Sequence, residues 1–321
     1  MYDIITVGSA TVDVFVHTVK EFTHITSLKK EHDVCFPIGG KILIDKLTFD
    51  TGGAGTNTAV AFTRLGLKTA WLGKLGDDIN SKNIAETLKR EKVKFIGSYG
   101  KGHTGYSVII VGLLNDRTIM THKGINDSLA KKEVDFKKLK TNWFYFGSML
   151  GESFQTVCAL AEFAKKKNIP YAFNPSTYLA KQGYQKLKQL IDGCTVLVLN
   201  KDEAEYLTHT SHLQKMLDVL QRHAKIVVIT DGRNGAFAYA GGQRLHLRTH
   251  NIKIVETTGA GDAFASGIVF ALVKGMSLSD ALKTGLAEAE STLQHIGAKN
   301  NLLTYTQLQK SLKIPTRIEA F

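Results

Sequence analysis

Apolar and polar positions divide the chain into two kinds of stretch. Asp3-Ile4-Ile5-Thr6-Val7-Gly8 is a short, nearly continuous apolar run closed by glycine, the pattern of a buried strand. Similar runs recur at Trp143 to Phe146, Tyr171 to Phe173, Val196 to Leu199 and Ile226 to Thr230. Helical spacing fills the intervals near 153–167, 180–190, 201–207 and 211–222. This alternation predicts an α/β fold, with a mostly parallel central sheet covered by helices on both faces.

The second kind of stretch alternates with a period of two. Lys41 to Phe49 reads this way, as does Thr104 to Thr121 with Tyr106-Ser107-Val108-Ile109-Ile110-Val111 and a hairpin turn at Asn115-Asp116-Arg117. Strands with one wet face are expected, forming a small sheet that projects from the main body. Between and after these segments, helices are predicted from the glycines at 52–55 to Gly66, over about 80–91, over Ala263 to Lys274 and over about 278–294, with a strand and turn at 69–76 and a short amphipathic helix in the tail. Nothing resembles a linker or a repeat, so 1–321 reads as one unit.

With 321 residues, 43% hydrophobic and 22% charged, the chain has the composition of a globular protein with a large core. Its apolar runs, such as Ile252 to Val255, are far shorter than the roughly 20 residues of a membrane helix. A strand begins directly at the N-terminus, so no signal peptide is expected, and the odd, scattered Cys35, Cys158 and Cys194 suit a reducing, cytoplasmic setting. The formal charge of +12 raises nucleic acid as a partner, but the lysines are dispersed over helical faces. Neither nucleic acid nor membrane is expected as a partner.

Chemistry concentrates in Glu256-Thr257-Thr258-Gly259-Ala260-Gly261-Asp262-Ala263-Phe264, where an extended run passes through small residues into an apolar helix. Free amides at a helix start make an anion site suited to phosphate. Asp262 stands among them, either as a simple cap or as a base that takes a proton from an attacking hydroxyl. A second glycine-rich turn, Gly52-Gly53-Ala54-Gly55-Thr56-Asn57, also opens a helix; it is a plain turn with a capping Asn57 or a place for a polyol. Asp13, just past the first strand, is either a turn residue or a contact for substrate hydroxyls. Asn200 and Glu203 share the first turn of a helix as a capping pair or as oxygen groups for hydrated magnesium. Thr230, Gly232 and Gly235 form a loop after a strand, a candidate wall for a nucleotide.

Taken together, these motifs resemble the ribokinase-like, or PfkB, family of carbohydrate kinases. Gly52 to Ala59, with Gly66 and Gly76, is similar to the first family signature, and Thr257 to Asp262, with Ser266 and Gly267, to the second. The resemblance implies a three-layer α/β/α kinase with a discontinuous β lid formed by about 14–51 and 99–125. It implies ATP and magnesium as cofactors, a hydroxymethyl group of a sugar or nucleoside as acceptor, and two copies pairing through the lid. It further implies Asp262 as catalytic base, the amides of Gly259, Ala260 and Gly261 as anion hole, and Asp13, Gly52, Gly53 and Asn57 as sugar ligands. Asn200 and Glu203 would organise magnesium through water, and Thr230, Gly232 and Gly235 would line the nucleotide pocket. Two departures bear on selectivity. Glu256 stands where the signature usually has Asp or another short residue, which would shift a monovalent-cation (potassium) site, and Gly147-Ser148-Met149-Leu150 replaces the glutamate with which ribokinase contacts ribose. Lys41, Lys46 and Lys123 fall near the expected mouth.

Overall fold

The computed structural model describes residues 1–18, 24–28, 31–36, 38–113 and 116–321. A ten-stranded sheet runs in the order Ile318–Ala320, Gln243–Leu247, Ala236–Ala240, Ala224–Thr230, Cys194–Asn200, Tyr171–Phe173, Thr141–Phe146, Tyr2–Val7, Thr69–Leu72, Lys94–Phe95. From Ala224–Thr230 to Lys94–Phe95 all neighbours are parallel, while the strands on the other side of Ala224–Thr230 are antiparallel. The chain leaves Tyr2–Val7 toward Thr69–Leu72 on one side and later returns to Thr141–Phe146 on the other. Connections diverge beyond the carboxyl end of that first strand, which is where open α/β sheets place ligands.

Side-chain alternation along Thr141–Phe146 separates the two faces. Phe144 and Phe146 pack with the helices Gly151–Lys166, Tyr184–Ile191, Lys201–Thr208 and Leu213–Leu220. Tyr145 points the other way, into the layer that holds Phe62 of helix Ala54–Arg64, Phe264 and Phe270 of helix Ala260–Val273, and Leu282 and Leu286 of helix Leu278–Leu293. Burying each phenylalanine contributes about 1.5–3 kcal/mol, and the two layers form separate hydrophobic clusters on opposite faces of the sheet. Cys158 and Cys194 lie in the first of these as free thiols, and burial pushes them up to about 11 and about 12.

A separate four-stranded sheet has the order Asp116–His122, Gly105–Leu113, Thr11–Thr18, Ile44–Gly52. Asp13 pairs across it with Asp50 on one side and Ser107 on the other. His24–Leu28 and Glu31–Cys35 form a small hairpin of their own.

The structure differs from the sequence pattern at several places. The expected 180–190 helix is two, Thr177–Ala180 and Tyr184–Ile191, because Gly183 at φ +81 interrupts it. Ala236–Ala240, Gln243–Leu247 and Ile318–Ala320 are strands that the pattern did not predict, being short and partly exposed. Conversely, the extended run Ile252 to Val255 has no strand partner. Asp116 and Arg117, expected in a turn, begin a strand, and Asn115 lies outside the described residues. No helix among the described residues is long and apolar enough to cross a membrane.

Glu288 is an energetic exception within the core. Its side chain is fully buried; Oε2 accepts the Leu303 amide at 3.3 Å, while Oε1 has no partner. Burial pushes its carboxyl up to about 8. Because the folded state holds that proton more tightly than the unfolded chain, stability falls as pH rises from about 4.5 through about 8. Glu288→Gln should remove a slope of up to about 1.4 kcal/mol per pH unit in that window, read as a thermal midpoint that declines less steeply with pH.

Candidate active site

Two helix starts meet beyond the end of strand Tyr2–Val7. Helix Ala54–Arg64 begins after Gly53, and helix Ala260–Val273 begins after Gly259, whose φ of +82 is the left-handed conformation that glycine accommodates without a steric penalty. A Cβ at Gly259 would also overlap that of Ala298, so the 257–261 loop can sit this low only with glycine there. Gly259 is therefore the N-cap, and Asp262 lies in the helix's first turn, not at its cap. Its carboxylate instead accepts a hydrogen bond from Asn57 Nδ2 at 2.8 Å, a contact between residues 205 positions apart.

Around this bond the predicted residues divide into those brought together and those set apart. Asp13 is buried, and its Oδ1 accepts from Thr11 Oγ1 at 2.8 Å. Gly52 packs directly beneath it, since a Cβ there would overlap Asp13 Oδ2. Burial raises the Asp262 carboxyl; the Asn57 hydrogen bond and the Lys299 charge oppose that shift, and the negative charge of Asp13 adds to it. The two carboxylates thus sense one another. In the 259–261 loop the Ala260 amide turns back to Thr257 O at 3.3 Å, whereas those of Gly259 and Gly261 find no acceptor among the described residues. An anion can take up these free donors.

Asn200 and Glu203 close a reciprocal capping box: Asn200 Oδ1 accepts from the Glu203 amide at 2.8 Å, and Glu203 Oε2 from the Asn200 amide at 3.0 Å. Thr177 Oγ1 donates to the other Glu203 oxygen at 3.2 Å. Each carboxylate oxygen keeps a lone pair, which suits a water-mediated hold on magnesium and not a dedicated cage. No group of three or more potential ligands among the described residues could hold a metal directly. Burial pushes the Glu203 carboxyl up to about 7. Thr230, Gly232 and Gly235 lie further along the sheet, in a loop held by the Asp231 amide on Gly235 O at 2.8 Å and by the ion pair of Lys201 with Asp231 at 3.2 Å.

Sequence reasoning missed three residues of this region. Tyr145 is fully buried, and burial together with the charges of Asp262 and Glu203 drives its phenol well up. Asn174 accepts its hydroxyl at 3.4 Å. The third, Lys299, is 4% exposed and donates to Thr51 O at 2.6 Å. Only Tyr145 carried a signal, as a polar tip in an aromatic strand. Of the lysines expected near the mouth, Lys41 and Lys46 are exposed, and Lys123 donates to Tyr178 OH at 2.9 Å, with its ammonium 4.4 Å from that ring's centre.

A scan against family models matches residues 10–304 to the pfkB family carbohydrate kinases. The chain belongs to that family. Its members are phosphotransferases with alcohol acceptors and use ATP, generally with magnesium. It is 28% identical over 261 residues to a ribokinase of Staphylococcus aureus, covering 78% of this chain and 84% of that one. Two solved structures share the fold. An adenosine kinase from Sinorhizobium meliloti has a TM-score of 0.83 at 22% identity, covering 96% of this chain and 98% of its own. An Arabidopsis thaliana ribokinase, complexed with ribose and ATP, has a TM-score of 0.80 at 23% identity, covering 98% and 99%. This pfkB kinase is therefore a phosphotransferase of the carbohydrate-kinase class.

Gly52→Ala tests whether the Asp13 carboxylate serves the acceptor. The added methyl must displace the Asp13 carboxylate, so kcat/KM for the acceptor should fall about 10²-fold while KM for ATP is retained, as steady-state kinetics with each substrate varied would show.

Proposed function

We propose that the protein transfers the γ-phosphoryl group of ATP to a hydroxymethyl group of a sugar, with Asp262 as the base. The observation that carries this reading is the Asn57 to Asp262 hydrogen bond, which sets a carboxylate of the anion loop against the glycine-rich turn beside Asp13. Asp13, Gly52, Gly53 and Asn57 hold the acceptor, and its hydroxyl gives its proton to Asp262 as it attacks phosphorus in line. Developing charge on the transferring group is met by the amides of Gly259 and Gly261, while that of Ala260, also expected in the anion hole, is taken by Thr257 O. Asn200 and Glu203 would hold magnesium through water, and the ion would supply charge neutralisation at the phosphates. The loop of Thr230, Gly232 and Gly235 walls the nucleotide.

The four-stranded sheet carries Asp13 and so serves as a lid over the acceptor. Leu47 and Phe49 are 46% and 64% exposed on its Ile44–Gly52 strand, and this face is our candidate for pairing two copies. A nucleoside is the second acceptor class, since Asp13 and the same glycines can hold a ribosyl group. The Gly147-Ser148-Met149-Leu150 segment places no carboxylate beside the sugar.

Asp262→Asn should lower kcat by about 10²–10⁴-fold with little change in nucleotide affinity. Turnover equal to that of the unsubstituted enzyme would remove the base assignment. A panel of sugars and nucleosides, each assayed with ATP, ranks the acceptors; a nucleoside at the head of that panel would replace the sugar reading.

Potassium is a further matter of charge. Glu256 Oε1 accepts the Thr258 amide at 2.6 Å and faces Arg117 Nε at 3.6 Å. Glu256 Oε2 and Thr258 Oγ1 are buried without hydrogen-bond partners, oxygens that a monovalent cation could use. Because the guanidinium already offsets the carboxylate, turnover should be nearly the same in sodium and potassium salts. Arg117→Gln should make it rise with added potassium.

A further inference from the structure

We propose that Lys299 is a positioning residue for phosphoryl transfer, a buried counter-ion shared by Asp13, Asp50 and Asp262 that fixes the acceptor side of the site against the anion loop. Its role rests on the reading of Asp262 as base.

The segment 297–299 touches both halves of the site. A Cβ at Gly297 would overlap Asp50 Oδ2, and Ala298 fills the space left by Gly259 at the base of the anion loop. Lys299 Nζ then donates to Thr51 O at 2.6 Å, in the strand that carries Asp50 and leads into Gly52 and Gly53. Three consecutive residues thus touch a carboxylate, the phosphate cradle and the substrate turn. The backbone of the segment is itself clamped, because Arg64 Nη1 donates to Lys299 O at 2.7 Å and to Leu302 O at 3.2 Å while Glu91 pairs with the rest of its guanidinium at 2.7 and 2.9 Å.

Charge requires a cation here. Asp13 and Asp50 lie directly opposite one another on adjacent strands, an arrangement that is destabilising for like charges. Asp50 Oδ2 is buried with no hydrogen-bond partner. The groups whose charges act on Lys299 are Asp50 of strand Ile44–Gly52, Asp13 of strand Thr11–Thr18, Asp262 of helix Ala260–Val273, and Glu91 just after helix Ile79–Arg90. Burial draws the ammonium down to about 8 against the pull of those carboxylates. An exposed lysine would stay charged well beyond that pH.

The test is the pH dependence of kcat/KM for the best acceptor of the panel, with ATP saturating. The unsubstituted enzyme should show an alkaline limb near 8 as Lys299 loses its proton. In Lys299→Met that limb should vanish, and the acid limb should move up by roughly one to two pH units, because Asp13 and Asp262 lose the cation that favours their charged forms. KM for the acceptor should rise several-fold with KM for ATP unchanged, and Lys299→Arg should restore the acid limb. A Lys299→Met enzyme with an unaltered profile and acceptor KM, or one changed only in melting temperature, overturns the proposal. Should Lys299→Met fail to fold, Asp50→Asn decides: it removes a neighbouring anion and should move the alkaline limb to lower pH, and an unmoved limb overturns the proposal. Asp262→Asn tests the base assignment separately, since Lys299 is intact in that variant.

Discussion

The site depends on one hydrogen bond, from the Asn57 amide to the Asp262 carboxylate. It joins the starts of two helices far apart in sequence that pack together on one face of the sheet. Parallel strands need long crossovers, and each crossover here returns a loop to the same edge of the sheet. Strand Tyr2–Val7 sits where the crossovers part, and the two glycine-rich loops meet above it.

A second constraint follows from the first. Gathering carboxylates over a hydrophobic sheet removes them from water, which costs several kcal/mol per ion unless a partner compensates. The protein answers in different ways at different depths. Asn57 donates to Asp262, Thr11 donates to Asp13, the helix cap donates to Glu203, and Arg64 neutralises Glu91. Glu288 and Glu203 also keep their protons to well above the ordinary range, to about 8 and about 7.

How much of this was legible in the sequence depends on the kind of information each feature uses. The parallel core was, because buried strands such as Thr141–Phe146 and the helices that cover them repeat with clear periods. The glycines at 52, 53 and 259 were too, since each marks a loop where a side chain would collide with its surroundings. The edge strands Ala236–Ala240, Gln243–Leu247 and Ile318–Ala320 were not, because short, half-wet segments carry little periodic signal and are fixed by their neighbours. Lys299 was hidden for a different reason. A buried lysine and a solvated one look the same in a chain rich in lysine, and only the fold brings this one among Asp13, Asp50 and Asp262.

The two sheets end very differently. The ten-stranded sheet is bounded by Lys94–Phe95 and Ile318–Ala320, outer strands of two and three residues that offer little free backbone to another polypeptide. The four-stranded sheet is bounded by Ile44–Gly52 and Asp116–His122, nine and seven residues long. Free strand backbone is therefore concentrated away from the ten-stranded body, on the edges of the element that carries Asp13.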